Sequence, residues 1–256
     1  MARRSMTLTA LSGFPTVRPG DNLAALIIAS LGENGISAQD GDILVLAQKI
    51  VSKSEGRLIY LRDVVPSEEA KALAAKADKD PRVVELILRE SKEVLRCRPG
   101  VIIVEDKRGL VMANAGIDAS NTDIAEEDEA VLLLPEDPDR SAQVLHDELH
   151  KQLGLRLGIL INDSFGRAWR NGTVGTAIGL AAMPGLWDMR GMPDRNGRIL
   201  RSTEVGVGDE LAAAGSLLMG QGSEGCPVVH VRGFPAPMRN GNARELRRDP
   251  RMDLFR

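Results

Sequence analysis

The sequence predicts a fold of mixed α and β structure rather than a doubly wound parallel sheet. Three observations carry this expectation. Apolar runs of strand length, such as residues 42–47 and 156–161, alternate with capped helical stripes. The order of these elements does not repeat as strand–helix–strand. The one loop lettered like a dinucleotide fingerprint, G-Q-G-S-E-G at residues 220–225, follows a helix and precedes a strand, the reverse of the order that fingerprint needs.

The elements follow in chain order. Asp21 is the expected N-cap of a helix carrying Leu23, Ile27, Ile28 and Leu31, with Gly32 as its stop. Residues 42–47 (D-I-L-V-L-A) and 57–61 read as strands. Ser67 opens an Ala- and Lys-rich helix. Asp80 caps another, with Pro81 at its first position and a stripe of Val83, Val84, Ile87 and Leu95. Residues 101–104 and 109–112 read as strands around a turn at Lys107 and Arg108, and residues 129–134 as a further strand. The Pro-, Asp- and Glu-rich stretch 135–140 is the best place for a lobe boundary. Residues 141–153 are helical, and the strand 156–161 delivers Asn162, Asp163 and Ser164 at its end. An Ala-rich helix over 209–219 and a last strand over 227–231 complete the set. The charged tail from Arg239 is expected to be exposed.

Composition narrows the function classes. Aromatics are 3 % of the chain, so Leu, Ile, Val, Ala and Met must build the core. Thirty-three basic residues against 36 acidic ones give a net charge of -3, which argues against a nucleic-acid partner. No apolar run is long enough to span a bilayer, and the basic start has no apolar leader segment behind it, so neither a membrane nor secretion is expected. The cytoplasm is the expected compartment, with Cys97 and Cys226 as free thiols. Two Cys and three His are too few for a dedicated zinc site, so any metal would need oxygen ligands, as Mg2+ or Mn2+ do.

His146-Asp147-Glu148-Leu149-His150 resembles a zinc-protease helix, but Asp147 occupies the position of the general-base Glu, and a solvated helix face is the expectation. No P-loop sequence occurs. Four other segments set polar side chains beside glycine and strand ends. In residues 47–57, Lys49, Lys53 and Arg57 either offer cations to an anion or form a solvated turn. In residues 114–121, Asp118 suits a hard cation and Asn121 a base or ribose, or the segment is an Asx-bonded turn. Residues 162–173 place Asp163 and Ser164 before Arg167 and Arg170, which suit carboxylate or phosphate; Trp169 is expected in the core. The glycine loop 220–225 either lets backbone N–H groups approach phosphate oxygens, with Gln221 and Glu224 as further oxygen ligands, or is an ordinary Gly-rich helix-to-strand connection. Together these signals suit metal-assisted phosphoryl chemistry.

At these segments the chain resembles the coenzyme F420-0:L-glutamate ligase family. The matching stretches are D-G-D-I-L-V-L-A-Q-K-I-V-S-K-S-E-G-R from Asp40, N-A-G-I-D-A-S-N from Asn114, N-D-S-F-G-R-A-W-R-N-G from Asn162 and L-L-M-G-Q-G-S-E-G from Leu217, with A-I-G-L-A from Ala177 and R-G-M-P-D-R-N-G-R-I-L from Arg190. Ala168 stands where the family usually has proline, and Ser164 where threonine is common. The resemblance implies an α+β fold of mixed sheets with flanking helices, neither Rossmann nor P-loop, in an intertwined homodimer. It implies one unit over residues 1–256, in one or two interwoven lobes, with no C-terminal reductase-like domain.

It also implies GTP-dependent amide formation between the carboxylate of F420-0 and L-glutamate, repeated for further glutamates. By position, Asp118 and Asp163 would hold a first Mg2+ or Mn2+, and Ser164 and Gln221 a second, with K+ as a further ion. Asp118, Asp163 and Lys53 would carry the catalysis. The nucleotide would lie against Leu11, Ser12, Gly13 and Phe14, against Gln48, Lys49, Lys53 and Asn121, and against the loop of Met219, Gly220, Gln221, Gly222, Ser223, Glu224, Gly225 and Cys226. The expected mechanism passes the γ-phosphoryl of GTP to the acceptor carboxylate, and the amine of glutamate then displaces phosphate. Another carboxylate–amine ligase, or a nucleotide-binding regulatory module without turnover, is the alternative.

Overall fold

The computed structural model describes residues 5–118 and 129–254, which form an α+β fold. Its centre is a five-stranded sheet in the order β1-β12-β2-β8-β9, formed by β1 (Thr7–Ala10), β2 (Ile43–Ala47), β8 (Gly158–Arg167), β9 (Arg170–Ala181) and β12 (Val228–Arg232). Only β2 and β8 are parallel; every other pairing in the sheet is antiparallel. Both faces of β2 are covered, so its I-L-V-L run is buried throughout rather than alternating. On one face pack α1 (Leu23–Glu33), α2 (Gln48–Ser54) and α5 (Pro138–Leu153), through Ile27, Leu31, Leu145 and Leu149. On the other lies α6 (Val207–Met219), through Leu211 and Ala212.

A second body of structure lies between β2 and β8 in sequence. β3 (Leu58–Tyr60) pairs with β7 (Ala130–Leu132), and β4 (Ser91–Arg98), β5 (Val101–Asp106) and β6 (Val111–Ala113) form an antiparallel meander. Helices α3 (Glu68–Ala77) and α4 (Pro81–Arg89) cover that meander, packing Ala70, Ala74, Val84 and Ile87 on Ile102 and Val104. A two-stranded ribbon of β10 (Trp187–Asp188) and β11 (Glu204–Val205) precedes α6.

Several boundaries differ from the sequence reading, each for a local reason. The cap of α1 is Asn22, whose side chain accepts from Ala25 N; Asp21 instead accepts from Arg18 N, and the helix runs past Gly32 to Glu33, with Asn34 as its C-cap. Ser67 and Asp80 do cap α3 and α4. Leu95 is not on α4: the helix stops at Arg89, and the next residues enter β4 to pair with β5. Helix α5 starts before Ser141, because Asp137 caps it and Pro138 takes the first turn. The tail from Arg239 is charged but partly docked, with Ala243 buried and Glu245 accepting from Gly185 N and Leu186 N.

The zinc-protease likeness also resolves. Nδ1 of His146 lies 2.7 Å from Leu157 O, and Nδ1 of His150 lies 3.1 Å from Leu155 O, so both rings brace the lead into β8. Cys97 and Cys226 are unbridged. Among the described residues, no helix is long and apolar enough to cross a membrane.

Candidate active site

Strand directions determine where the polar segments meet. Because β2 and β8 are parallel, the C-terminal end of β2 lies beside the middle of β8, with Ala47 opposite Asn162. β12 runs antiparallel to β2 and starts at the same edge, with Val228 opposite Leu46; β1 ends there too, with Ala10 opposite Val229. Residues 14–17, α2 from its start to Lys53, the middle of β8 and the loop before β12 therefore border one cleft of about 440 Å³. Asp118 enters it from the second body of structure. Its backbone is held to Leu132 by N–H to O and O to N–H bonds of 3.1 and 2.7 Å. The chain reaches it through a left-handed turn at Asn114, Ala115 and Gly116, where Asn114 Oδ1 also accepts from Ile102 N. A Cβ at Gly116 would lie 2.7 Å from Leu134 Cδ1, so glycine is needed there for space as well as for φ.

The cleft is electrostatically poised. Lys49 Nζ is 2.7 Å from Asp118 Oδ2. Burial pushes the Asp163 carboxyl up to about 6, and the nearby charge of Asp118 adds to this; the Ser164 N–H and the Lys49 ammonium oppose it. Next along β8, Ser164 Oγ lies 3.2 Å from Ser216 Oγ on α6. Gln221 Nε2 donates to both hydroxyls, at 3.0 and 3.1 Å. Among the described residues, no three His, Cys, Asp or Glu side chains gather as a metal cage. A cation at the two carboxylates would need other oxygens, and the donors alongside, a hydroxyl and an amide, are of the kind that suits a hard cation.

Most of the expected residues line this cleft: Phe14, Gln48, Lys49, Lys53, Asp118, Asp163, Ser164, Met219, Gly220, Gln221, Gly222, Ser223, Gly225 and Cys226. Gln48 is buried and accepts from Ser52 Oγ. Others stand back. Leu11 is buried in the core, and Ser12 is tied to Asn34 by three hydrogen bonds beside Gly13. Glu224 is not available as an oxygen ligand in this arrangement. Its Oε2 accepts from Gly222 N at 2.8 Å, and backbone N–H groups of its own loop hold its carboxyl below the usual range. Asn121 lies outside the described residues.

Three expectations fail for physical reasons. Arg57 does not join Lys49 and Lys53, because α2 ends at Ser54 and Gly56 turns the chain at φ +68°; its guanidinium bonds Leu134 O and Glu90 instead. Asp163 and Ser164 are not at a strand end, because β8 continues to Arg167 by pairing with β9. Trp169 is not in the core: it sits at the tip of that hairpin, 84 % exposed, with Arg167 and Arg170 exposed beside it. Asn162, Thr16, Val17 and Ser216 also line the cleft, with no role assigned to them from the sequence. Asn162 could have been found, since it begins the polar triplet. A serine inside an Ala-rich helix carries no signal of its own.

The family model described as F420-0:Gamma-glutamyl ligase matches residues 13–233, most of the chain. The chain belongs to that family. Among its curated relatives, a coenzyme F420:L-glutamate ligase from Methanothermobacter thermautotrophicus is 45 % identical over 253 residues, covering 98 % of this chain and 99 % of the relative. One of the same name from Methanopyrus kandleri is 46 % identical over 244 residues, 94 % and 93 % of the two chains. One from Archaeoglobus fulgidus is 40 % identical over 246 residues, 96 % and 94 %. Family membership makes this chain a ligase, and the matched span contains the cleft residues from Phe14 to Pro227.

Proposed function

We propose that this chain joins L-glutamate to coenzyme F420-0, and to the growing product, in a GTP-dependent reaction. The observation that carries the reading is the meeting of Asp118, Asp163 and Lys49 beside a glycine loop, in a chain of this family. Asp118 and Asp163 would hold one Mg2+ or Mn2+, with Ser164 and Gln221 serving a second; bound there, such cations supply charge neutralisation at the phosphates. The ammonium groups of Lys49 and Lys53 hold phosphate oxygens at the same edge. The loop 220–225 presents backbone N–H groups to them once the Glu224 carboxylate turns aside.

The acceptor carboxylate attacks the γ-phosphorus, GDP leaves, and an acyl phosphate forms. The neutral amine of glutamate then attacks the acyl carbon; the C–O bond to phosphate breaks, and one proton is released. The side chains act by holding the reactants in line in one cleft and by stabilising the charge that develops on phosphate. The same reading makes the protein a homodimer. The exposed arm of Arg167, Trp169 and Arg170 extends past its own sheet and would be met by a second copy, which sedimentation of wild type against Trp169→Ser would register as a shift in assembly.

The test is mass spectrometry of the protein incubated with F420-0, L-glutamate, GTP and Mn2+. The expected result is the addition of one or more glutamyl units, lost when GTP or metal is omitted. A folded protein that binds GTP but adds nothing would overturn the acceptor assignment. Equal turnover with ATP would overturn the choice of nucleotide.

A further inference from the structure

We propose that Ser216 is a positioning residue that sets which end of the Gln221 amide faces the cleft. The proposal rests on the reading above, in which Gln221 offers an oxygen to a cation. Ser216 lies on α6 and is only 8 % exposed, yet it borders the cleft. Its Oγ is 3.2 Å from Ser164 Oγ and 3.1 Å from Gln221 Nε2, and the same Nε2 is 3.0 Å from Ser164 Oγ. Proton counting fixes the direction of this triangle. With Nε2 toward the serines, both N–H groups find an acceptor, and one hydroxyl proton remains to bridge the two serine oxygens. With the amide reversed, only two hydroxyl protons would serve three oxygen–oxygen contacts of 3.0–3.2 Å, leaving one pair of oxygens with no proton between them. The observed arrangement therefore turns Oε1 away from the serine pair and leaves it to the cleft that Gln221 lines.

The backbone is built to permit this triangle. Ser164 pairs with Gly175 across the β8–β9 ladder, and α6 crosses directly over that glycine. A Cβ at Gly175 would lie 2.5 Å from Ala212 O and 2.6 Å from Ser216 Cβ. Any side chain there would lift α6 and pull the Ser216 hydroxyl away from Ser164. Without Ser216, the Gln221 amide keeps one partner that serves either orientation, since a lone Ser164 hydroxyl can donate or accept. The amide then loses its preferred direction.

The experiment is a Mn2+ titration of the full chain with GDP present, reading free Mn2+ by electron paramagnetic resonance. Wild type, Ser216→Ala, Ser216→Thr, Gln221→Ala and the Ser216→Ala/Gln221→Ala double variant are compared, with melting curves to show that each is folded. Ser216→Ala should weaken the second Mn2+ by about tenfold, the lower end for loss of an orienting partner, and leave the first unchanged. Ser216→Thr, which keeps the hydroxyl, should restore it. In the Gln221→Ala background, Ser216→Ala should have no further effect, because Ser216 acts through that amide. Unchanged Mn2+ binding in Ser216→Ala, or an equal loss in the Gln221→Ala background, would overturn the proposal while leaving the cation reading intact. A wild type that takes up no Mn2+ would overturn both.

Discussion

Asp163 is held as a charge at a cost, and replacing it should stabilise the protein while ending its activity. Its carboxyl is pushed up to about 6 from an ordinary 3.8, mainly by burial. A displacement of that size corresponds to about 3 kcal/mol between the two protonation states. Partial exposure of the side chain screens some of it, so about 1–3 kcal/mol is expected to be released by Asp163→Asn at pH 8, measured in chelator. Asparagine retains an oxygen for Ser164 N, which Asp163 Oδ1 now accepts from at 2.8 Å. At about 2–4 °C per kcal/mol for a chain of this size, the variant should melt about 2–12 °C above wild type. The pH dependence follows from proton counts. Between about pH 4 and pH 6 the unfolded chain has released this proton and the folded chain keeps it, so raising the pH favours unfolding of wild type. The gap between variant and wild type should therefore be absent below pH 4, open through that window and be complete above pH 6. Amide formation should be lost at every pH. Equal melting temperatures at pH 8, or the same gap at pH 4 and pH 8, would refute the argument.

Asn34→Ala should raise the apparent KM for nucleotide about threefold to tenfold with kcat within about twofold, because its three bonds to Ser12 brace the loop bordering the cleft; steady-state kinetics checks this. Gly179→Ala should destabilise by about 3 kcal/mol, the upper range for overpacking, since its Cβ would fall 2.4 Å from Pro138 O; urea denaturation reads the loss. In the cluster of Asp42, His230 and Arg232, burial alone would raise the Asp42 carboxyl, but hydrogen bonds from Arg232 and His230 hold it below the usual range. Asp42→Ala should cost about 3 kcal/mol near neutral pH, and the difference from wild type should shrink as acid protonates Asp42 in the wild type, as seen by denaturation at a series of pH values.

What was legible in the sequence is what a short window decides. Ser67, Asp80 and Pro81 mark helix starts through their own side chains, and the I-L-V-L run of β2 announces burial on both faces. What was not legible depends on a distant partner. β9 has a Gly- and Thr-rich sequence that signals neither helix nor strand; it is a strand because β8 lies beside it. Leu95 fits a helical stripe by spacing, but pairing with β5 claims it for β4. Trp169 reads as core by chemistry and is carried out to a tip by a hairpin invisible before β9 is known. The carboxylate pair, the lysines and the glycine loop were named from residue type and resemblance; Ser216 needed Gly175 across the sheet to acquire a role.

The mixed strand order explains why one edge of the sheet can collect so many functional groups. An all-parallel sheet would bring strand ends to this edge and only strand starts to the other. Here the antiparallel strand β12 also brings its start to the place where β2 ends beside the polar middle of β8, so the glycine loop before β12 faces Asp163 and Lys49. Among the described cleft residues, Asp118 alone comes from the second body of structure, and its place depends on how that body is stitched on. That work falls to Arg57 and Arg108. Both bond the carbonyl of Leu134 and the carboxylate of Glu90, just beyond the strand that bridges to Asp118. The cation that the sequence suggested for phosphate therefore acts one step removed. Lys49 and Lys53, a turn apart on α2, face the cleft, while Arg57, past the turn at Gly56, anchors the frame that brings Asp118 to meet them.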